Sequence, residues 1–177
     1  VPSALLIFPL MKRKDRLYLA VATCFGLGFS PYFPGTCGAL VGVAIYLPLA
    51  YLLPHEPHQT IAIASALIAW SLITIALGSW AESFFQKKDS GIFVTDEVAG
   101  FLLTVLLWRI HSAPLLTVLW AFPVTRIIDM VKVPPARSLE KLPGGWGVLA
   151  DDLLGSLYAA GLLHVLLWQF PSWFALR

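Results

Sequence analysis

Residues 36–53, 60–85, 115–133 and 148–170 each form a mostly apolar run of about 20 residues, the length that carries an α-helix across a bilayer's hydrocarbon core. Nothing else in the sequence restricts the fold so severely. Backbone polar groups in lipid must be satisfied inside a helix or a closed barrel. These runs lack the alternation of barrel strands, so the expected fold is all-α, a multi-pass membrane helical bundle. Composition agrees. The chain is 58% hydrophobic and 12% charged, whereas ordinary soluble domains carry about 25% charged residues. A net charge of +2, with no basic run interleaved with aromatics, argues against nucleic acid as a partner.

A fifth run, 98–108, is short, which places the preceding Asp96-Glu97 at a membrane edge. Residues 17–29 are too few to cross alone. They lead into Gly26-Leu-Gly28-Phe-Ser30-Pro-Tyr-Phe-Pro34-Gly35-Thr36, which breaks any helix. The expectation is about five spans plus an N-terminal interfacial or re-entrant helix, then a tight loop and a new helix from Thr36. That helix carries Gly38-Ala-Leu-Val-Gly42, a spacing suited to close helix packing. The domain division follows: a basic extension over 1–16, one membrane-embedded domain over 17–170 and a short tail over 171–177. The apolar opening precedes its basic residues, the reverse of a signal peptide. Met11, ahead of Lys-Arg-Lys-Asp-Arg, is a natural initiator, and residues 1–10 are then either a foreign remnant or an extension. Cys24 and Cys37 form no metal-binding spacing and are expected to be small packing residues.

Sidedness follows from the bases. Lys12, Arg13, Lys14 and Arg16, then Lys87 and Lys88, then Arg137 and Lys141 fall on one side of a five-span chain. The opposite loops have only Arg109 at their border. The positive-inside rule puts the basic side in the cytoplasm. Asp96-Glu97, Lys132, Asp151-Asp152 and the Ser30 to Thr36 loop come out on that same face.

Carboxylates in so apolar a chain are costly and mark function. Asp96-Glu97-Val-Ala-Gly100 and Asp151-Asp152-Leu-Leu-Gly155 share a pattern, each pair followed one helical turn later by a glycine that lets another backbone or a ligand come close. Either pair alone would serve as a helix N-cap favoured by the dipole. Asp129 breaks that account, since it lies near the C-terminal end of its helix. Arg126, Asp129 and Lys132 recur every third residue along one side of a helix. Arg126 and Lys132 are candidate phosphate ligands, while Asp129 joins a metal or orients Arg126. Hard oxygen donors select Mg²⁺, Mn²⁺ or Ca²⁺, and Mg²⁺ commonly completes its shell with a substrate phosphate. The expected metal ligands are Asp96, Glu97, Asp129, Asp151 and Asp152. The expected phosphate contacts are Arg126, Lys132, Ser30, Gly35 and Thr36, the last two at a helix N-terminus with free N–H groups. Glu82 is a minor candidate, and His164 a hydrogen-bonded packing residue.

Four pieces carry a resemblance: Gly28-Phe-Ser30-Pro-Tyr-Phe-Pro-Gly-Thr36; Thr95-Asp-Glu-Val-Ala-Gly100; Arg126-Ile-Ile-Asp129-Met-Val-Lys132-Val-Pro134; and Leu142-Pro-Gly-Gly-Trp-Gly-Val-Leu-Ala-Asp151-Asp152-Leu-Leu-Gly155. In this order and spacing they resemble the phosphatidylglycerophosphatase A family. The resemblance implies a Mg²⁺-dependent membrane phosphatase of the bacterial inner membrane, acting from the cytoplasmic face. Its substrate would be phosphatidylglycerophosphate and its product phosphatidylglycerol. Asp129, Asp152, Arg126 and Lys132 would carry the chemistry, with attack by a metal-activated water or by a carboxylate. Some members have Lys-Gly-Gly where this chain has Pro143-Gly144-Gly145, which weakens the expectation of a phosphate contact there. The alternative reading is a small cation or proton transporter, which would need polar groups through the full membrane thickness. A CDP-alcohol phosphotransferase would need a DGxxAR signature, which the chain lacks.

Overall fold

The computed structural model describes residues 11–88 and 90–174, so the expectations for residues 1–10 and 175–177 lie outside it. Among the described residues the chain is helical throughout: α1 (Arg13–Ala22), α2 (Pro34–Leu52), α3 (Glu56–Phe85), α4 (Thr95–Leu107), α5 (Pro114–Val131), α6 (Ala136–Leu139) and α7 (Gly145–Gln169). Short 3₁₀ turns occupy Leu27–Phe29 and Pro171–Phe174.

Four helices are long and apolar enough to cross a membrane: α2, α3, α5 and α7. The fifth expected span is a different kind of element. Helix α4 has 13 residues, about 20 Å at 1.5 Å per residue, against a hydrocarbon core of about 30 Å. It packs against α2, α3, α5 and α7 at once, and Val98, Phe101, Leu102 and Val105 are wholly buried. A helix apolar on every side belongs in a core. Here α4 is a strut in the middle of the bundle. Because lipid tails are as apolar as leucine, the packing rests on close contact and interhelical hydrogen bonds, each contributing roughly 0.6 kcal/mol. Thr74 of α3 meets Thr95 at 2.9 Å, and Thr125 of α5 meets Thr104 at 3.1 Å. Gly38 and Gly42 let α2 lie against Val94 and Phe101, as their spacing suggests.

The N-terminal region departs from expectation. Helix α1 starts at Arg13, so part of the basic stretch assigned to an extension is its first turn. It docks on α3, where Trp80 donates to Asp15 at 3.1 Å and stands edge-on to Tyr18. The chain then reverses through Cys24, Phe25 and Gly26, all at positive φ. Cys24 is buried, which pushes its thiol up to about 12 and makes it the inert packing residue expected. Helix α2 begins at Pro34 instead of Thr36, because proline suits the first helical position, where its missing N–H goes unneeded. Helix α5 stops at Val131, and Lys132 follows in the left-handed conformation at φ 49°.

Charge is not confined to one end. Glu56 opens α3 at the end opposite Asp96-Glu97, where it pairs with Arg109 (3.5 Å) and His111. Between the two ends the buried polar side chains include the threonines Thr74, Thr104, Thr117 and Thr125, with Ser156 near the acid-rich end. His164 bonds within its own helix, to the Ala160 carbonyl at 2.8 Å, but lies exposed and does not pack inside.

Candidate active site

Four chain segments meet at one end of the bundle. The first turns of α2 and α4, the last turn of α5 and the N-terminal third of α7 enclose a cavity of about 240 Å³, into which Glu97, Arg126, Asp129, Lys132, Asp151 and Asp152 project. Gly35, Thr36 and Asp96 also line it. Ser30 does not; its hydroxyl donates to the Tyr32 carbonyl at 2.8 Å, inside its own loop. Glu82 is separated from the cavity by Phe93 and Val148, which it shares with a small neighbouring void.

The acids arrive on three helices. Asp96 and Glu97 occupy the first turn of α4, where the helix dipole stabilises negative charge. Asp151 and Asp152 were expected to open a helix, but α7 starts at Gly145 and has no acid in its first turn. Capping therefore does not explain them. Asp129 sits in the last turn of α5, where the dipole opposes an anion, and a neighbouring cation offsets this: Arg126 Nη2 lies 3.2 Å from its Oδ2.

Arg126 spans two elements. One guanidinium nitrogen pairs closely with Glu97 and the other with Asp129, and the three side chains are 11%, 15% and 18% exposed. Adjacent acids on α7 point about 100° apart, and so Asp151 and Asp152 serve different partners. Asp152 is turned to the Arg126 side, where it, Glu97 and Asp129 each place a carboxylate oxygen within 4.8 Å of the others. Asp151, buried, takes an ion pair from Lys132 at 2.9 Å. Lys132 is not the third rung of a helical ladder, because its left-handed turn swings it off the α5 face toward α7. Its ammonium also pairs closely with Glu140, and that hydrogen bond holds the Glu140 carboxyl below the usual carboxylate range. Sequence reasoning missed Glu140. The available signal was that it is the only acid between Pro134 and Gly147.

The two glycines of the repeated pattern do what their position suggests. A Cβ at Gly100 would stand 3.0 Å from Ser156 Oγ and 3.6 Å from Asp152 Cβ, so α4 lets α7 in at the level of Asp152. At Gly155 the nearest atoms to a Cβ are Asp129 Cα and Ile128 Cγ2, both at 4.0 Å, so α7 receives α5 at Asp129. Each acidic pair is followed by the contact that seats the next acid. Gly35 is tighter still, because any side chain there would collide with Glu97 and crowd Arg126.

Helices long and apolar enough to span a membrane close on an acid-rich cavity with an arginine and a lysine in its wall, a donor set suited to a metal ion and a phosphate group. The chain belongs to the phosphatidylglycerophosphatase A family, whose family model matches residues 20–167. Its members are phosphoric monoester hydrolases. It is 29% identical to phosphatidylglycerophosphatase A of Escherichia coli over 169 residues, covering 89% of this chain and 91% of that one. The Haemophilus influenzae enzyme of the same name is 29% identical over 144 residues, 78% and 82% of the two chains. A Bacteroides thetaiotaomicron protein named "Putative phosphatidylinositol-3-phosphatase" is 35% identical over 161 residues, 89% of this chain and 98% of its own. No solved structure matches significantly.

Proposed function

We propose that the protein removes the terminal phosphate of phosphatidylglycerophosphate, releasing phosphatidylglycerol, at the cytoplasmic face of a bacterial inner membrane and with Mg²⁺. The observation that carries this reading is the charge balance of the cavity. Asp96, Glu97, Asp129, Asp151 and Asp152 surround Arg126 and Lys132, and both bases are already paired. A phosphomonoester adds negative charge to an excess of carboxylates, so it needs a further cation to bind. The donors suit a hard divalent ion: Glu97, Asp129 and Asp152 offer three carboxylate oxygens within 4.8 Å. Of the five acids expected as ligands, Asp151 is instead committed to Lys132. Mg²⁺ held by the trio would neutralise phosphoryl oxygens and lower the pKa of a bound water.

The chain's own groups do the rest. Arg126 braces Glu97 against Asp129 and adds positive charge beside the transferring phosphoryl group. Lys132 neutralises Asp151 and keeps its charge away from the substrate. The first turn of α2 offers the free N–H groups of its first residues and the Thr36 hydroxyl to phosphate oxygens. The cytoplasmic assignment is supported by Lys87, Lys88, Arg137 and Lys141 gathering at the cavity end of the bundle.

The 35% identical relative favours a second reading, in which the phosphate sits on an inositol headgroup. One experiment separates the two. Purified protein is assayed for phosphate release from phosphatidylglycerophosphate, phosphatidylinositol 3-phosphate, phosphatidate and lysophosphatidate, with and without Mg²⁺. Preferred, Mg²⁺-dependent turnover of the first supports the proposal, and preference for the second replaces it.

A further inference from the structure

Beside the acid-rich cavity lies a second, more open one of opposite sign, whose cations are solvent-exposed. Lys87 and Lys88, just beyond α3, share a space of about 420 Å³ with Arg137 of α6, Glu140 and Lys141. Glu140, the one carboxylate among its described lining residues, is engaged by Lys132, which also reaches Asp151 at 2.9 Å. A single side chain thus joins the wall of the basic cavity to the wall of the acidic one. Bases that only set membrane orientation need to lie on the correct side; they need not converge from separate loops on one concavity. The α3 end just ahead of Lys87 is aromatic, with Trp80 stacked on Phe84 at 4.8 Å and Phe85 edge-on to both. Trp146, 57% exposed, follows shortly after Lys141. Such aromatics collect at the headgroup level of a bilayer, which puts the basic cavity among lipid phosphates.

We propose that this basic cavity is a second phosphate-binding site, separate from the cavity of Glu97, Asp129 and Asp152. Its ligand is the phosphate of an anionic phospholipid headgroup or free inorganic phosphate. Four cations in one concavity select a group with uncompensated negative charge, so a zwitterionic choline headgroup is a poor ligand. The site stands whether or not phosphatidylglycerophosphate is the substrate.

The test is equilibrium binding to the full protein in neutral detergent with EDTA. One arm uses radiolabelled inorganic phosphate and another short-chain phosphatidylglycerol, with short-chain phosphatidylcholine as the control. The expected result is a site that survives Arg126→Gln and disappears in Lys87→Gln/Arg137→Gln/Lys141→Gln, while that triple variant melts within a few degrees of the parent. Lys88→Gln or Lys141→Gln alone should weaken it about fivefold. The arm that saturates identifies the source of the phosphate. Binding in neither arm, equal binding of phosphatidylcholine, or binding retained by the triple variant overturns the proposal. Should the triple variant not fold, Lys141→Glu decides, and unchanged affinity there also overturns it. Failure of the proposed enzymatic reading would show instead as no phosphate release by the parent protein, leaving these binding curves untouched.

Discussion

At one end of the bundle Glu56, Arg109 and His111 form an ionic cluster; at the other, Glu97, Arg126 and Asp129 form another of the same size. In the first, Glu56 and Arg109 each complement a helix end. Glu56 lies in the first turn of α3, and Arg109 donates to the last carbonyls of α4, Val105 at 3.2 Å and Leu106 at 2.9 Å. Its Glu56 and His111 side chains are about half exposed. In the second, Asp129 stands against its helix dipole, Asp152 sits inside a helix, and acids exceed bases around one shared cavity. A balanced cluster fastens a loop, whereas a buried excess of one sign calls for a counter-ion, a ligand or a proton. The difference separates a structural fastening from a candidate binding site in two clusters that look alike as residue inventories.

The sharpest break in that comparison is removal of a carboxylate from each end. Asp152→Asn or Asp129→Asn should reduce phosphate release to background while the detergent-solubilised protein stays folded, and Glu56→Gln should leave turnover unchanged. Near-normal turnover of either aspartate variant would remove that residue from the mechanism. Chelation comes next. EDTA should stop the reaction and added Mg²⁺ restore it, and activity persisting in metal-free enzyme would sink the three-carboxylate site. Gly35→Ala should cost about a hundredfold in turnover, because a displaced Glu97 and Arg126 misplace the groups they brace. An active Gly35→Ala enzyme would show that the cavity tolerates that shift.

At the other end the effects belong to stability. Arg109→Ala, whose side chain is 6% exposed, should lose about 2 kcal/mol from its hydrogen bonds to α4 and Thr60. Melting in detergent would report this, and activity below the melt should be unaffected. The smallest expected effect concerns Glu140. Its carboxyl is held low by Lys132, so its stabilising contribution is present above the ordinary carboxylate range and fades as pH falls through its lowered value. The melting difference between the parent and Glu140→Gln should therefore shrink on acidification. A difference flat with pH would contradict the pairing.

Much of this was legible in the residues. The apolar runs announced the long helices, and the stock of acids with Arg126 and Lys132 announced a phosphate chemistry. The role of α4 was not legible, because a 13-residue apolar run reads equally as a clipped span or a buried strut, and only its neighbours decide. The division of labour between Asp151 and Asp152 was hidden because it depends on which neighbour each side of α7 faces. Lys132 misled the periodic reading because α5 ends one residue before it, ahead of Pro134 and Pro135. The basic cavity, drawn from two distant segments, leaves no local pattern at all.

A chain with this hydrophobicity and this spacing of apolar runs has to be a helical membrane bundle, since lipid offers its backbone no other partner. That much is local physics, and so is the placing of Asp96 and Glu97 in the first turn of a helix. Which three carboxylates lie within 4.8 Å of one another, and which is drawn off to a lysine, is settled by how α4, α5 and α7 cross at Gly100 and Gly155. Those crossings depend on packing among residues far apart in the chain, where helix rotation decides what each side chain meets.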